Sequence, residues 1–343
     1  MEPFKSTNND DDIKITVIGG GTGSFTLLSA LKNNTKQIAA VVNMSDDGGS
    51  TGVLRDEMGT LPPGDVRQCL VALSNSSRIR DLFDYRFEEG TLKGHSFGNI
   101  LLTAMEKVTG SFSEAVKTAS EILRINGTVI PATLDDVRLK MEWPDEGITL
   151  QGEKLIASNN FKFDPRRANL SLVPTPKSNP LAIKAIKEAD IVIIAPGDLY
   201  ASLGPLLVID GIGEALNSTK ALKIYVANLV TKDGQTTGFT VSDHAKEIER
   251  FAGTQFLDCV LYNNGKPTDD IMARYKEEKG YLAEVDLQAL SKAHYKSVAG
   301  NFLGAMAKRK SSDVLHVRRS LIRHDAKTIA DAIMEIYGRT KRC

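Results

Sequence analysis

The sequence has few of the features that mark disulfide-rich, membrane-spanning or secreted proteins. Its 343 residues include three cysteines, Cys69, Cys259 and Cys343, which are scattered and form no CxxC pair. Neither a disulfide framework nor a zinc knuckle is therefore indicated. No apolar run approaches the ~18 residues that a membrane span requires. Residues 1–12 are polar and acidic and lack the apolar segment of a signal peptide, so we expect them to be disordered and the protein to be cytoplasmic.

Neither sign of charge is in excess. Lys and Arg total 43 and Asp and Glu total 43, which gives a formal net charge of zero. Non-specific binding of nucleic acid or of a membrane surface needs a strong positive field, so neither partner is expected. The sequence also lacks an internal repeat and a linker rich in Pro or Gly. These absences favour one composite domain over residues 13–343.

Short β-branched runs alternate with helical patterns along most of the chain. Residues 13–18 predict a strand that ends in glycines, residues 25–31 have helical spacing, and residues 38–42 predict a second buried strand. This order favours a Rossmann-like α/β fold, a mostly parallel sheet with helices on both faces and a ligand at the carboxyl ends of the strands. The same rhythm predicts a helix on the stripe Val66, Leu70 and Leu73, helices at 100–108, 114–123, 181–188, 242–252 and 326–337, and strands at 191–194, 224–227 and 256–262.

One stretch departs from this rhythm. Residues 137–141, 148–150 and 170–173 alternate between apolar and polar side chains, with turn residues between them. Alternation with a period of two is typical of strands that are buried on one face. We therefore predict an antiparallel β insertion at about residues 128–175, packed on the main sheet.

A run of glycines, Gly19-Gly20-Gly21-Thr22-Gly23, follows the first predicted strand. Glycines at such a turn let backbone N–H groups approach a phosphate, and the helix that follows adds its positive end. The dinucleotide fingerprint G-x-G-x-x-G does not fit, because Ser24 or Thr26 stands where its third glycine would be, and no Lys-Ser/Thr completes a Walker A loop. A tight turn without a ligand is the alternative. We predict a phosphate or nucleotide cradle.

A polar, flexible stretch at residues 43–52 follows the second predicted strand, where a ribose, a base or a metal-bound phosphate would be recognised. The adjacent carboxylates Asp46 and Asp47 could hold Mg²⁺ through oxygen, take protons from hydroxyls, or cap the next helix. The stretch also contains the pattern G-x-S-x-G around Ser50. A nucleophile elbow needs an apolar strand that runs directly into it, which residues 44–47 do not provide. An esterase-type serine is therefore not expected.

Other polar residues stand at predicted helix starts and strand ends. Asp65 opens a helix, as an N-cap or as a site residue. His95, in a glycine-flanked turn, could donate to an anionic oxygen or satisfy a buried carbonyl. Residues 196–202 follow the most apolar strand and Asn228 ends the next one, so both fit the ligand crevice. Near the end of the chain, Arg323 suits a phosphate because its planar fork binds two oxygens, while Asp325 could simply cap the last helix.

Several of these motifs occur in the order found in a known family. The segments IGGGTGSFTLLSALK, VVNMSDDGGSTGVLRDEMGTLPPGDVRQCLVALS, GHSFGN, APGDLYASLGPLLVIDGI, NLVTKDGQTTGFTVSDH and LIRHD resemble the YvcK group of gluconeogenesis factors, in the CofD-like superfamily. The resemblance implies binding of UDP-sugars, chiefly UDP-N-acetylglucosamine, and a link to cell shape and envelope synthesis on gluconeogenic carbon sources. CofD itself transfers a phospholactyl group from a GDP-activated donor to a deazaflavin precursor.

The chain departs from the family pattern in two places. Asp198 stands where Ser is usual and Ala201 where Thr is usual, and the G-P-S-N-P-like turn of CofD enzymes is absent. Residues 229–236 lack the Pro and Glu of the usual M-T-Q-P-G-E-T. Motifs and resemblance together give these candidate residues for binding a nucleotide or UDP-sugar: Gly20, Gly21, Thr22, Gly23, Asn43, Ser45, Asp46, Asp47, Ser50, Thr51, His95, Asn99, Gly197, Asp198, Ser202, Asn228, Tyr275 and Arg323.

These observations favour a regulatory protein that binds UDP-N-acetylglucosamine over an enzyme. The alternative is a CofD-like nucleotide-dependent transferase, in which Asp46 and Asp65 would be the catalytic residues. A nicotinamide-dependent oxidoreductase is disfavoured by the broken fingerprint. The expected partners are the nucleotide sugar and a cell-wall precursor enzyme or scaffold protein. Mg²⁺, with Asp46 and Asp47 as candidate ligands, and a homo-oligomeric state are left open by the sequence.

Overall fold

The computed structural model describes residues 12–270, 272–273, 280–304 and 323–341. The predicted disorder of residues 1–12 falls, except for Asp12, outside these ranges. Ten strands are described: β1 Ile15–Gly19, β2 Ile38–Val42, β3 Thr128–Pro131, β4 Arg138–Trp143, β5 Ile148–Gln151, β6 Asn169–Val173, β7 Ile191–Ile194, β8 Leu222–Val226, β9 Cys259–Asn263 and β10 Lys296–Gly300.

Thirteen α-helices are described in the same ranges. They are α1 Gly21–Leu31, α2 Gly49–Met58, α3 Gly64–Leu73, α4 Ser77–Asp84, α5 Phe97–Thr109, α6 Phe112–Leu123, α7 Glu153–Ser158, α8 Pro180–Glu188, α9 Gly204–Leu207, α10 Ile212–Ser218, α11 Val241–Ala252, α12 Leu287–Lys292 and α13 Ala326–Thr340. A π-helical turn, Leu199–Leu203, precedes α9, and 3-10 turns lie at Pro144–Glu146 and Pro165–Arg167.

A seven-stranded sheet forms the centre of the fold, and every neighbouring pair of its strands is parallel. The strand order is β3-β2-β1-β7-β8-β9-β10. Strands that follow β1 in the chain are first added on one side of it, as β2 and β3, and then on its other side from β7 onward, so the strand order reverses between β1 and β7. In open α/β sheets a ligand crevice lies outside the carboxyl ends of the strands at such a reversal. The predicted parallel sheet is confirmed, and its topology marks the end of β1 as the place to look for a site.

Helices cover both faces of this sheet, as predicted. Ile15 and Val17 of β1 pack with α1, α3 and α13 on one face, whereas Ile18 packs with α8, α10 and α11 on the other. All five residues of β1 are buried, because neither face meets water. The reversal point is therefore held by a strand that is buried on both faces.

The insertion forms a separate three-stranded antiparallel sheet in the order β5-β4-β6. Alternate residues of β4, Leu139, Met141 and Trp143, are buried in the core on the α8 side of the main sheet. One boundary of the prediction is wrong: β3, placed in the insertion from the sequence, pairs in parallel with β2 as an edge of the main sheet. An edge strand tolerates Pro131, which cannot donate to a further strand.

No single helix of the described ranges is long and apolar enough to cross a membrane. Leu199–Leu207 and Ile212–Ser218 reach the required length and apolarity only as a pair, and this pair is bent by 73°. Leu203, Leu206 and Ile212 in these segments are at most 1% exposed, because they pack in the core.

Candidate functional site

The loops after β1 and β7 touch at the reversal point of the sheet. A Cβ atom on Gly23 would lie 1.7 Å from the backbone oxygen of Pro196, a distance no real pair of atoms tolerates. Only glycine lets the first turn of α1 approach the loop after β7 this closely. The two loops therefore form one continuous wall of the crevice.

The helix that follows β1 begins within the glycine run, earlier than the sequence predicts. α1 starts at Gly21 rather than near Phe25. Its N-cap residue, Gly20, has no side chain that could accept a hydrogen bond, and the first turn of the helix contains no acidic residue. The first N–H groups of a helix have no partner within it, so they are available to a bound anion. One of them, from Gly21, donates to the carboxyl group of Asp65.

Three further helices begin beside this loop. A Cβ atom on Gly64, the first residue of α3, would lie 2.4 Å from Thr51 Oγ1 and 2.8 Å from Asp46 Oδ2. Thr51 is in the first turn of α2. Its neighbour Ser50 places Oγ 3.0 Å from Nδ1 of His95, which precedes the N-cap of α5. The amino ends of α1, α2, α3 and α5 thus gather near the carboxyl ends of β1 and β2 and together favour an anion.

Four carboxyl groups share this crevice, those of Asp46, Asp65, Asp198 and Glu153. Burial, followed by the charges of Asp46, Asp198, Asp65 and Asp47, raises the pKa of Glu153 to about 9. Burial and the nearby Asp46 raise the pKa of Asp65 to about 7, and burial also raises the pKa of Asp46. The crevice therefore holds protonated and charged carboxyl groups side by side near neutral pH, and these can donate to or accept from the hydroxyl groups of a ligand.

The adjacent residues Asp46 and Asp47 have different environments. Asp46 accepts hydrogen bonds from the N–H of Gly48 at 2.9 Å and from the Thr51 hydroxyl, on the crevice side. Asp47 instead accepts from the N–H groups of Glu153 at 3.1 Å and Lys154 at 2.7 Å, and its side chain is 10% exposed. Asp47 therefore caps α7 and holds the insertion.

Glu153 is a site residue that sequence analysis missed. It opens α7, a helix of six residues whose amino end is capped by Asp47. Gln235 secures the other end, where its Nε2 donates to the backbone oxygens of Ile156 at 2.7 Å and Asn159 at 2.9 Å. The insertion thus delivers one acidic side chain to the crevice, and no motif in the sequence marks it.

Asp65 does not cap its own helix, although the sequence allowed that role. The N-cap of α3 is Pro63, and Asp65 lies inside the first turn of the helix. A Cβ atom on Gly20 would lie 2.2 Å from Asp65 Oδ2, so the carboxyl group contacts the glycine loop directly. The interpretation of Asp65 as a plain N-cap is therefore wrong.

Asn43 and Ser45 shape the loop after β2 from within. Asn43 Oδ1 accepts from the Ser45 backbone N–H at 3.2 Å and from its hydroxyl at 3.0 Å. Both side chains are buried, at 3% and 1% exposure. They fix the path of the chain into Asp46.

The loop after β7 is held by side chains from the next strand end. The Asn228 amide donates to the Gly197 backbone oxygen at 2.7 Å and accepts from the Gly197 N–H at 3.3 Å. Asp198 accepts from two N–H groups of the π-helical turn that contains Ser202, and it forms an ion pair with Lys232. Lys232 is a second cationic candidate that sequence analysis did not single out.

Arg323 lies beside the same edge of the sheet. Its backbone oxygen accepts from Gly304 N–H at 2.7 Å, and Nε2 of the next residue, His324, donates to Ala227, the residue after β8, at 3.1 Å. Burial lowers the pKa of His324 to about 4, which keeps the imidazole neutral in this contact. Within the described ranges, the partly exposed Arg323 guanidinium has no ion pair. Asp325 caps α13, and Tyr275 lies outside the described residues.

The carboxyl groups do not form a preassembled metal site. Over the residues that the structure describes, no three His, Cys, Asp or Glu side chains are arranged to hold a metal ion. Asp47 is occupied by the amino end of α7, so the pair Asp46–Asp47 does not offer two carboxylates to one cation. The sequence-based suggestion of these two residues as Mg²⁺ ligands therefore finds no geometric support.

Comparisons with known proteins show the family of the chain and agree with its fold. Residues 15–303 match the family profile described as 2-phospho-L-lactate transferase CofD. The gluconeogenesis factor of Bacillus subtilis is 36% identical over 328 residues, which cover 94% of this chain and 98% of that protein. The gluconeogenesis factor of Halalkalibacterium halodurans is 38% identical over 331 residues, which cover 95% and 97%. The crystal structure of a UPF0052 family member from Bacillus halodurans, 35% identical, has a TM-score of 0.83 and covers 94% of this chain and 99% of that one.

Proposed function

Since the chain belongs to the CofD family and is similar over nearly its whole length to gluconeogenesis factors, we propose that it binds UDP-N-acetylglucosamine as a regulatory signal in the cytoplasm. The signal couples carbon supply to cell-wall precursor synthesis and cell shape. The observation that supports this function is the meeting of four helix amino ends with four carboxyl groups at the sheet reversal. A nucleotide sugar carries both the diphosphate and the hydroxyl groups that such a site suits.

Each part of the crevice has a role in this proposal. The N–H groups of Gly20, Thr22 and Gly23 bind the diphosphate, because they are neutral donors at a positive helix end, while that of Gly21 is held by Asp65. Asp46, Asp65 and Glu153 exchange hydrogen bonds with the hydroxyl groups of the ligand. Arg323 and Lys232 supply the positive charge that the glycine loop lacks.

Regulation requires that the ligand favour one of two arrangements of the protein. Lys232 offers one such change, because a bound diphosphate competes with Asp198 for its ammonium group. A cell-wall precursor enzyme or a scaffold protein would bind the liganded state selectively. Nucleic acid has no part in this function, since the chain carries no net positive charge.

The ligand preference is tested by thermal shift. UDP-N-acetylglucosamine is expected to raise the melting temperature more than NAD does, because the glycine loop is a phosphate cradle without the dinucleotide fingerprint. A ligand at about 100 times its dissociation constant adds about 2.7 kcal/mol to the stability of the folded state. Equal or greater stabilisation by NAD would overturn the proposal.

A CofD-like transferase is the second candidate function. The matched family profile is named for such an enzyme, and Asp65, with a pKa near 7 beside Asp46, has the properties of a general base. The purified protein is incubated with GDP-activated phospholactate, a deazaflavin acceptor and Mg²⁺, and we expect no transfer above background. Product formation that Asp46→Asn abolishes would establish the transferase instead.

Arg323→Ala is expected to weaken binding of UDP-N-acetylglucosamine about 10- to 150-fold, because a hydrogen bond to a charged group contributes about 1.5–3 kcal/mol. Arg323→Lys restores only part of the affinity, since an ammonium group lacks the planar fork. Titration calorimetry measures both variants. Arg339→Ala is the matched control, because Arg339 pairs with Glu335 on the exposed side of α13. An unchanged affinity in Arg323→Ala, or an equal loss of unliganded stability, would assign Arg323 a purely structural role.

A further inference from the structure

A directional chain of hydrogen bonds links Arg67 to His95. Arg67 Nε donates to Asn99 Oδ1 at 3.0 Å, and the same guanidinium is held by an ion pair with Asp84. Because the Asn99 oxygen is taken by this donor, the amide nitrogen is the group that faces Ser50 Oγ, at 3.3 Å. Ser50 accepts that hydrogen bond, and its Oγ lies 3.0 Å from His95 Nδ1, which accepts the serine proton in the tautomer that carries its hydrogen on Nε2. Arg67, which cannot act as an acceptor, fixes the direction of the hydrogen bonds from its guanidinium group through Asn99 to Ser50.

This arrangement has the geometry of an activated nucleophile. A hydroxyl within about 2.6–3.2 Å of a base can act as a nucleophile, and here Asn99 and Arg67 orient the serine of the pair. Arg67 and Asn99 are buried, at 8% and 3% exposure, so the orienting part is rigid. Ser50 and His95 are partly exposed, so the reacting part is open to a ligand.

The position of Ser50 defines the kind of bond it can attack. Ser50 lies in the first turn of α2, a helix of ten residues. The next residue, Thr51, bonds Asp46 and lies against Gly64, while Asp65 contacts the glycine loop. Ser50 thus lies at the amino end of α2, one of the helix ends that would hold a phosphate, and we place a phosphorus atom beside its hydroxyl.

We infer that Ser50 is a nucleophile that cleaves the phosphoanhydride of the bound nucleotide sugar, with His95 as its base and Asn99 as the positioning residue; this rests on the proposed function for the identity of the ligand. A bond forms between Ser50 Oγ and phosphorus, the bridging P–O bond breaks, and the serine proton passes to His95 Nδ1. The leaving phosphate monoester departs as an anion held by backbone N–H groups.

Water completes the cycle. It attacks the phosphorus of the serine diester, the Ser50 Oγ–P bond breaks, and the proton on His95 returns to the serine oxygen. Of the two hydrogens of the water, one stays in the new hydroxyl group of the released phosphate monoester and the other is lost to solvent as a proton. The balance is one nucleotide sugar and one water converted to a nucleoside monophosphate and a sugar 1-phosphate. A sensor with this activity clears its own signal.

The experiment measures binding and cleavage separately on the full chain. UDP-N-acetylglucosamine is titrated by calorimetry, and release of UMP and any covalent adduct on Ser50 are followed by mass spectrometry. Wild type is expected to bind and to release UMP. Ser50→Ala and His95→Ala are expected to bind but to release UMP 10²- to 10⁴-fold more slowly, the usual range for losing a general base. Added imidazole restores turnover to His95→Ala only.

Ser120→Ala is the control. Ser120 lies in α6, and its hydroxyl donates to the backbone oxygen of Val116 at 2.7 Å, so it belongs to none of the motifs that line the crevice. It should match wild type in both measurements. Binding by wild type without UMP release, or undiminished release by Ser50→Ala, overturns the nucleophile while leaving the proposed function intact. Absence of binding by wild type overturns the proposed function and this inference with it.

Discussion

Replacement of Gly23 by alanine is expected to abolish measurable binding of UDP-N-acetylglucosamine and to lower the free energy of unfolding by about 3 kcal/mol. The added Cβ would lie 1.7 Å from Pro196 O and 2.8 Å from Pro196 C, both backbone atoms that no rotamer change can move. Either α1 or the loop after β7 must shift. Such a shift separates the glycine run from Gly197 and Asp198, so the wall that these two loops form is broken and no longer fits the ligand.

Urea unfolding and titration calorimetry measure the two effects of Gly23→Ala. Gly338→Ala is the matched control, because Gly338 is also helical and a Cβ there would meet nothing within 4 Å. That substitution should raise stability by about 0.5–1 kcal/mol, the usual difference between glycine and alanine in a helix. A Gly23→Ala protein with wild-type affinity would show that the two loops are not packed as described.

The second large effect is a dependence of stability on pH that originates at Glu153. Its pKa is raised from 4.5 to about 9, first by burial and then by Asp46 and the other carboxylates. Between these two values the folded protein keeps a proton that the unfolded chain has lost. The unliganded protein therefore becomes less stable as pH rises through this window, by at most ~1.4 kcal/mol per pH unit for one proton. Asp65 acts in the same direction up to its pKa of about 7.

Glu153→Gln removes the difference in bound protons between the folded and the unfolded state at this position, because the amide is neutral in both states. The variant is expected to be more stable than wild type at pH 8, by about 2 kcal/mol once solvent screening of a partly exposed group is considered. Its stability should also vary less between pH 5 and pH 8. Urea unfolding at several pH values tests this, with the exposed Glu214→Gln as the control. Parallel curves for Glu153→Gln and wild type would contradict the predicted role of the carboxyl cluster.

The sequence predicted those parts of the site that depend on local patterns. The strand that ends at Gly19 and the glycines that follow it are adjacent in the chain. The sequence therefore predicts their βα turn and its position at the carboxyl ends of the strands. Asp46 and Asp65 were singled out for the same reason, since each stands in a polar turn beside an apolar element. Where α2 begins, the sequence alone predicts a flexible stretch, because Gly48, Gly49 and Gly52 disfavour a helix unless the surrounding structure overrides this tendency.

Residues that meet only through the tertiary structure were not predictable. Glu153 reaches the crevice through Asp47, 106 residues earlier in the chain. Asp198 and residues 229–236 lie in two separate departures from the family pattern, and the structure pairs Asp198 with Lys232 of that range. Asp46 and Asp47 are chemically identical in the sequence, and only the position of α7 separates their roles. Single-residue patterns carry no record of such pairings.

The attachment of α7 also determines when the crevice is completed during folding. Six residues are too few for an isolated helix to persist in water. Its two attachments, Asp47 and Gln235, lie 106 and 79 residues away from the backbone atoms they bind. Contacts that close loops of this length form late, after the more local βα units have assembled. Glu153 is therefore among the last groups installed as the chain folds and among the first released by local unfolding, so a newly made molecule gains its complete crevice only when both halves of the sheet are joined.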